Sequence, residues 1–432
     1  MTADLLYSET ERDLAAALTD LLTDRAAPAD VIARTERPET CDTKLWRTVA
    51  AEIGIAGLLI PEALGGAGAS YRELATAAEQ FGAFAAPIPY LGSAAVATAV
   101  LLSAARSAAE AGTAPAGPDP GDAGGLGSAA SGPAAAVRAA QLRAAARADA
   151  APGAGKAPVS PAAGLLRQLA DGSLTAALAL STATASAAPF PALARVTGRG
   201  DAAGTVKLRG TIPAVADALP ADVLLVPADG VPSALYLVEA TAPGVHRTPL
   251  ISLDMTRQLC DITLDDAPAR QVAVGAAAAA AVSAGFAAGA AVLAAEQLGL
   301  AQRCLDLTVE YVKERRQFGR PIGSFQALKH RLADLWTTIT LARAASRYAA
   351  ACLSDDDPDT PVAVALAKSA CCEAAVTAAQ ECVQLHGGIG FTWEHPAHLY
   401  LKRAKAASVA FGTPGAHRAA LADLVNLPAP GA

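Results

Sequence analysis

The chain has 432 residues, 53% hydrophobic and 17% charged, with a formal net charge of −7. A chain this long and apolar can bury the core of two or three domains, which excludes global disorder. Its interspersed charges leave no extended basic stripe to track a phosphate backbone, which argues against a nucleic-acid partner. Aromatic residues make up only 4%, so packing must rest on alanine, leucine and valine in closely approaching helices.

Between Glu9 and Arg25, Leu14, Leu18, Leu21 and Leu22 recur at helical spacing, and a second helical stretch over 45–53 stops at Gly54. Glycines at 65, 66 and 68 mark a turn, after which helical patterning returns over 71–81 and 92–102. Residues 1–102 therefore read as an N-terminal helical domain. Residues 103–163 are rich in Ala, Gly, Pro and Ser and poor in large apolar side chains, too little to offset the entropy of ordering. They read as a mobile low-complexity insertion, with a solvated helix over 134–148. Over 164–275 short apolar runs such as Val223-Leu224-Leu225-Val226 and Leu235-Tyr236-Leu237-Val238 alternate with Gly, Pro and Asp, predicting a compact antiparallel β domain. From 276 to 432 helical periodicity resumes, with Leu328, Leu332, Leu335 and Ile339 on one face, predicting a helical bundle.

The apolar stretch over 272–300 is diluted by Ala, Gly, Ser, Glu and Gln and reads as a core helix rather than a membrane span. The seven cysteines form no C-x-x-C pair and read as buried free thiols, with no metal set. Acidic residues near the N-terminus stand where a signal peptide needs a basic start, so the expected location is cytoplasmic.

Two blocks carry a family resemblance. Glu314-Arg315-Arg316-Gln317-Phe318-Gly319-Arg320-Pro321-Ile322-Gly323-Ser324-Phe325-Gln326 and Gln384-Leu385-His386-Gly387-Gly388-Ile389-Gly390-Phe391-Thr392-Trp393-Glu394-His395-Pro396 resemble the two C-terminal motifs of the acyl-CoA dehydrogenases, at the expected separation. Leu45-Trp46, Ile60-Pro61-Glu62-Ala63-Leu64-Gly65-Gly66 and Gly244-Val245-His246-Arg247-Thr248-Pro249 extend it over most of the chain outside the insertion. The resemblance implies an α+β multidomain fold: an N-terminal helical domain, a middle antiparallel β-barrel and a C-terminal four-helix bundle. It also implies FAD, an acyl-CoA substrate and an electron-transfer acceptor. Arg315 would grip the FAD pyrophosphate of a neighbouring subunit with Gln317 beside it, and Phe318 and Gln326 belong to the same motif. Gln384, Gly387 and Gly388 would lie against the adenosine portion, where glycine permits close backbone approach. Thr413 completes the implied cofactor set.

In the family a glutamate removes the α-proton as hydride leaves the β-carbon. Counting forward without gaps, that position falls on Phe411, within Ala410-Phe411-Gly412-Thr413. The alternative position on the first bundle helix falls on Gly289. Glu296 lies seven residues further along, about 10 Å at ~1.5 Å per residue, and Glu394 belongs to its motif. The loop that cradles flavin in the family reads Ser181-Thr182-Ala183-Thr184-Ala185-Ser186-Ala187-Ala188-Pro189 here, without the Thr-Glu-Pro and Gly-Ser-Asp elements. These departures imply the base-lacking subunit of an α2β2 enzyme completed by a base-bearing homologue. The chain is similar in this to actinobacterial heteromeric dehydrogenases of sterol or bile-acid side-chain thioesters. Three alternatives stay open: a self-sufficient dehydrogenase with another base, a flavin-dependent monooxygenase or oxidase on the same fold, and a purely structural binding subunit.

Overall fold

The computed structural model describes residues 4–113, 161–183, 190–198, 204–230 and 232–428. Helices α1 (Glu9–Arg25) and α4 (Tyr71–Ala83) each open with a capping box, Ser8 with Glu11 and Ser70 with Glu73, which satisfies backbone donors that a helix start leaves free. Between them lie α2 (Pro28–Thr35), with proline in its first turn, and α3 (Thr43–Arg47), capped by the Asp42 carboxylate. A wider turn at Leu91–Ala97 leads into α5 (Thr98–Thr113), so this helix runs past the expected boundary at residue 102. The helix expected over 134–148 and most of the expected insertion lie outside the described residues.

The chain re-enters the helical domain before any strand forms. Helix α6 (Pro161–Ala170) packs on α5 and on the turns at Ile55–Gly57 and Glu62–Leu64, burying Leu165, Leu166 and Leu169. The front of the segment read as β domain is therefore helical. The first strand begins at Ala176, just after Thr175 accepts a hydrogen bond from Trp46 Nε1 at 3.1 Å.

Among the described residues seven strands follow: β1 (Ala176–Leu178), β2 (Ala194–Val196), β3 (Thr205–Ala216), β4 (Val223–Asp229), β5 (Ala234–Glu239), β6 (Val245–Pro249) and β7 (Leu259–Val274). The pairings β4–β2–β3–β7–β5–β4 return to their starting strand, with β1 added beside β4 and β6 beside β7. The sheet is mixed rather than antiparallel: β1 and β2 both run parallel to β4. Apolar runs between turn residues identify strands but not their direction, and long connections allow a strand to return parallel. Alternate residues serve two cores. Ala177, Leu224, Val226 and Tyr236 fill the interior of the sheet, while Ala176, Leu178, Leu225 and Leu237 face the helical core.

The C-terminal bundle contains α7 (Ala276–Glu314), α8 (Gln326–Ser354), α9 (Thr360–His386), α10 (Ala397–Val409) and α11 (Pro414–Leu424), with α9 packed on all the others. Helices α4 and α7 cross in backbone contact. A methyl group on Gly82 would overlap the Glu296 carbonyl, and one on Gly299 the Glu79 carbonyl, so only glycine fits at either position. Leu335 and Ile339 are buried as the apolar face of α8 predicts, whereas Trp336 and Leu341 on the same helix are exposed.

Among the described residues three stretches, Leu91–Glu110, Ala276–Glu314 and Thr360–Phe391, are long and apolar enough to cross a membrane, which corrects the reading of 272–300 as too weakly hydrophobic. In each, 61–67% of the apolar window is buried inside the chain itself. All seven cysteines are free, six of them buried and Cys41 half-buried, and no cluster of metal-ligating side chains occurs among the described residues.

Candidate functional site

Beyond α7 the backbone makes a short hairpin, β8 (Arg316–Gln317) against β9 (Arg320–Pro321), turned by Phe318 and Gly319, both at positive φ. Phe318 is 90% exposed, and the Arg320 guanidinium stacks over Phe325 at 3.8 Å. Arg315, Gln317 and Gln326 are exposed, and Arg315, Arg316 and Arg320 pair with no carboxylate among the described residues. The second block caps α9. Gln384, Gly387 and Gly388 are exposed, Gly387 has φ +62°, and open space lies where either glycine would carry a side chain.

One stack ties the end of α7 to the second block. Tyr311, one turn before Arg315, lies 4.4 Å from the His386 ring, and His386 in turn lies 4.2 Å from His395. Ile389, Phe391 and Trp393 stand out beside them, Phe391 and Trp393 at 75% and 70% exposure. The end of α7, one turn before the first block, is thus held against the second, and each block presents exposed groups outward. Glu394 is exposed there too.

The two positions read as family base sites meet in space. A Cβ on Gly289 would stand 2.5 Å from Cε1 of Phe411, whose ring is buried and packs edge-on against Phe286 at 5.7 Å. A phenyl ring accepts no proton, and Gly289 has no side chain to offer one. The Phe411 backbone sits at φ +53°, a strained conformation for a large residue. Contacts from three elements hold it there. Phe411 N–H donates to the Thr182 carbonyl at 2.5 Å, His417 Nε2 lies 2.7 Å from the Phe411 carbonyl, and Lys368 Nζ donates to the Gly412 carbonyl at 3.1 Å. Thr413, read as a cofactor ligand, caps α11 by accepting from Ala416 N–H at 3.2 Å. A cavity of about 20 Å³ lined by Leu91, Val96, Leu178, Leu180 and Phe411 remains beside the ring, room for one water molecule and not for an acyl chain. The flavin-cradle segment continues from Ser181 to Ala183 within the described residues; 184–189 lie outside them.

Glu296 does not take over the missing role. It is fully buried, with Arg257 Nη2 at 2.5 Å, Arg403 Nε at 2.9 Å and the Tyr90 hydroxyl donating to Oε2. Burial alone would raise its pKa, but the two guanidiniums overcome that and hold it at about 2. A carboxylate so held is a poor proton acceptor at neutral pH. Arg403 also donates to Thr256 Oγ1 at 2.6 Å, so this network ties the loop before β7 to α7, α10 and the turn before α5.

The profile described as "Acyl-CoA dehydrogenase, N-terminal domain" matches residues 8–111, and that described as "Acyl-CoA dehydrogenase, C-terminal domain" matches residues 279–425. The chain belongs to the acyl-CoA dehydrogenase family of oxidoreductases. Acyl-CoA dehydrogenase IpdE2 of Mycobacterium tuberculosis (strain ATCC 25618 / H37Rv) is 33% identical over 396 residues, 92% of this chain and 91% of the relative. Among solved structures, the Tcur3481-Tcur3483 steroid ACAD G363A variant is 28% identical with a TM-score of 0.71, covering 97% of this chain and 98% of that one. The ChsE4-ChsE5 complex from Mycobacterium tuberculosis is 26% identical with a TM-score of 0.74, covering 99% of this chain and 100% of that one.

Within this acyl-CoA dehydrogenase chain, sequence reasoning missed the residues that fix the Phe411 turn: Thr182, Lys368 and His417. Lys368 carried a signal, as a single charge inside the apolar run from Val362 to Cys372. Such a charge on a buried face must find oxygen partners. Arg257 and Arg403 left no comparable trace, because the carboxylate that explains them lies far away in the chain.

Proposed function

We propose that this chain is the base-lacking subunit of a heteromeric, FAD-dependent acyl-CoA dehydrogenase. Its partner is a base-bearing homologue, in an α2β2 assembly that acts on a steroid-derived acyl-CoA thioester. The observation that carries this reading is the contact between Gly289 and Phe411: both family base positions converge on one spot, and apolar atoms fill it. The outward blocks remain intact, and the steroid ACAD and the ChsE4-ChsE5 complex are relatives whose names give a steroid substrate or a two-component assembly.

The residues present suit a flavin dinucleotide offered from a neighbouring subunit. Arg315 is free to pair with a pyrophosphate, Gln317 and Gln384 carry amide donors and acceptors, and Gly387 and Gly388 leave backbone open to close approach. Phe318 extends an apolar ring toward such a neighbour, with Gln326 opening α8 behind it. FAD, when bound, would supply a hydride acceptor for the substrate β-carbon, and the reduced enzyme would need an electron-transfer acceptor. The α-proton then goes to the partner's carboxylate. This chain's part is to bind and orient the cofactor and to exclude water, because Phe411 leaves no room for an acyl chain at the family base position.

The test is to purify the chain alone and co-expressed with a base-bearing homologue, measuring flavin absorbance, subunit stoichiometry and enoyl-CoA formation. The expected result is flavin, a mixed tetramer and turnover only in the co-expressed sample. A yellow homotetramer that forms enoyl-CoA by itself would overturn the reading. Oxygen consumption with a non-thioester substrate would point instead to an oxidase or monooxygenase.

A further inference from the structure

Lys368 and Cys372 stand one turn apart on α9, both with no solvent exposure. That spacing puts their side chains on one helix face, and Lys368 Nζ lies 3.1 Å from Cys372 Sγ. The other two ammonium protons go to the Ala407 carbonyl at 3.2 Å and the Gly412 carbonyl at 3.1 Å. No carboxylate pairs with Lys368 among the described residues. A buried ammonium ordinarily takes an acid as partner. Here its partners are two carbonyls and a thiol, so amine and sulfur are held in contact with all the ammonium protons engaged.

We propose that Lys368 and Cys372 form an oxidisable pair that closes into a covalent nitrogen–oxygen–sulfur bridge. The oxidant is dioxygen, a small apolar molecule able to enter an alanine-lined core that excludes larger polar reagents. The ammonium, the thiol and one O2 give Lys–NH–O–S–Cys, one water and one proton. An N–O and an O–S bond form, two N–H bonds and the S–H bond break, and the second oxygen leaves as water. Nitrogen and sulfur each give up two electrons, the four that reduce O2.

Closure has a local consequence. The ammonium has three donors and a charge, whereas the bridged nitrogen has one N–H and no charge. At least one of the Ala407 and Gly412 carbonyls then loses its bond from the ammonium, at a cost; Ala407 keeps the Ala410 N–H at 3.3 Å, so the loss bears hardest on Gly412. Those carbonyls flank the strained Phe411 turn, and Gly412 sits directly before the Thr413 cap, so oxidation loosens the segment that fills the family base position. The inference is independent of the subunit assignment, because it concerns only this chain's own core.

The test uses the full chain, purified under nitrogen with a thiol reductant, then freed of reductant and exposed to air. After unfolding and digestion, the peptide containing Lys368 and Cys372 should gain one oxygen and lose two hydrogens. Cys372 should resist alkylation, trypsin should fail to cut after Lys368, and dithiothreitol should reverse all three. The aerated protein should melt at a lower temperature than the reduced one, and C372S and C372A should show neither the mass change nor the shift. Complete alkylation of Cys372 after aeration would overturn the proposal. So would gain of oxygen without loss of hydrogen, a plain sulfenic acid, or loss of two hydrogens alone, a disulfide with a neighbour such as Cys371.

Discussion

Glu79 and Glu296 face each other across the α4–α7 crossing as a near-symmetric pair. Each lies three residues before the glycine that lets the helices touch, Gly82 and Gly299, and each accepts a hydrogen bond on Oε2 from a tyrosine, Tyr7 and Tyr90. Both carboxyls are buried, yet they titrate in opposite directions. For Glu296 burial is outweighed by two guanidiniums in direct contact, and its pKa falls to about 2. For Glu79 burial wins: Tyr7, Arg347 and Arg343 compensate only in part, Oε1 has no hydrogen-bond partner among the described residues, and the pKa rises to about 7. The lesson is that contact decides. A guanidinium at hydrogen-bond distance reverses the desolvation penalty, and charges one shell further out do not.

Removing the acidic half of the Glu296 network should break the comparison most severely. Glu296→Gln strips the contacting carboxylate from Arg257 and leaves Arg403 with Asp254 alone, at 3.8 Å; it should cost about 3–5 kcal/mol, read as a lower urea midpoint at pH 7. A midpoint equal to that of the parent chain would show that the guanidiniums do not depend on the carboxylate.

The pH dependence should then separate the two sites. The folded pKa of Glu296 lies below its ordinary 4.5, so the folded state binds fewer protons there. Its contribution is complete above about pH 4.5 and is lost as pH falls toward 2. The folded pKa of Glu79 lies above 4.5, so its contribution is present below pH 4.5 and is lost as pH climbs through about 7. Glu79→Gln keeps an acceptor for Tyr7 and removes the buried charge, so at pH 8 it should stabilise the fold by on the order of 2 kcal/mol. Denaturant titrations of both proteins from pH 5 to 8 check this. A parallel pair of curves would place the Glu79 pKa outside that window.

Much of the architecture was legible because it follows from periodicity. Leu14, Leu18 and Leu22 announced a helix, and the runs at Val223 and Leu235 announced strands, since burial on one face imposes its own spacing. The outward blocks around Arg315 and Gly387 were legible as motifs, being local strings whose residues act where they stand. What the sequence could not supply was tertiary. The parallel pairing of β1 and β2 with β4 depends on where a connection returns, and α6 followed a low-complexity segment that masked its three leucines. Glu296 illustrates the limit best. Counting along α7 gave its distance from Gly289, but its state depends on Arg257 from a loop and Arg403 from α10.

The tyrosines supply the finest test of the comparison. Tyr7→Phe removes the hydroxyl that donates to Glu79 Oε2 at 2.6 Å, and loss of one such bond should cost about 1 kcal/mol. That hydroxyl lowers the Glu79 pKa, so its removal should move the neutral-pH limb of the stability curve to higher pH. Tyr90→Phe removes the matching donor from Glu296 but leaves Arg257 and Arg403 in place. Its acid limb should therefore stay where it is, although the fold loses a similar amount of stability. If contact with a guanidinium is what sets the two carboxyls apart, the first substitution shifts a titration and the second changes only a plateau. Two equal shifts would assign the difference to the tyrosines instead.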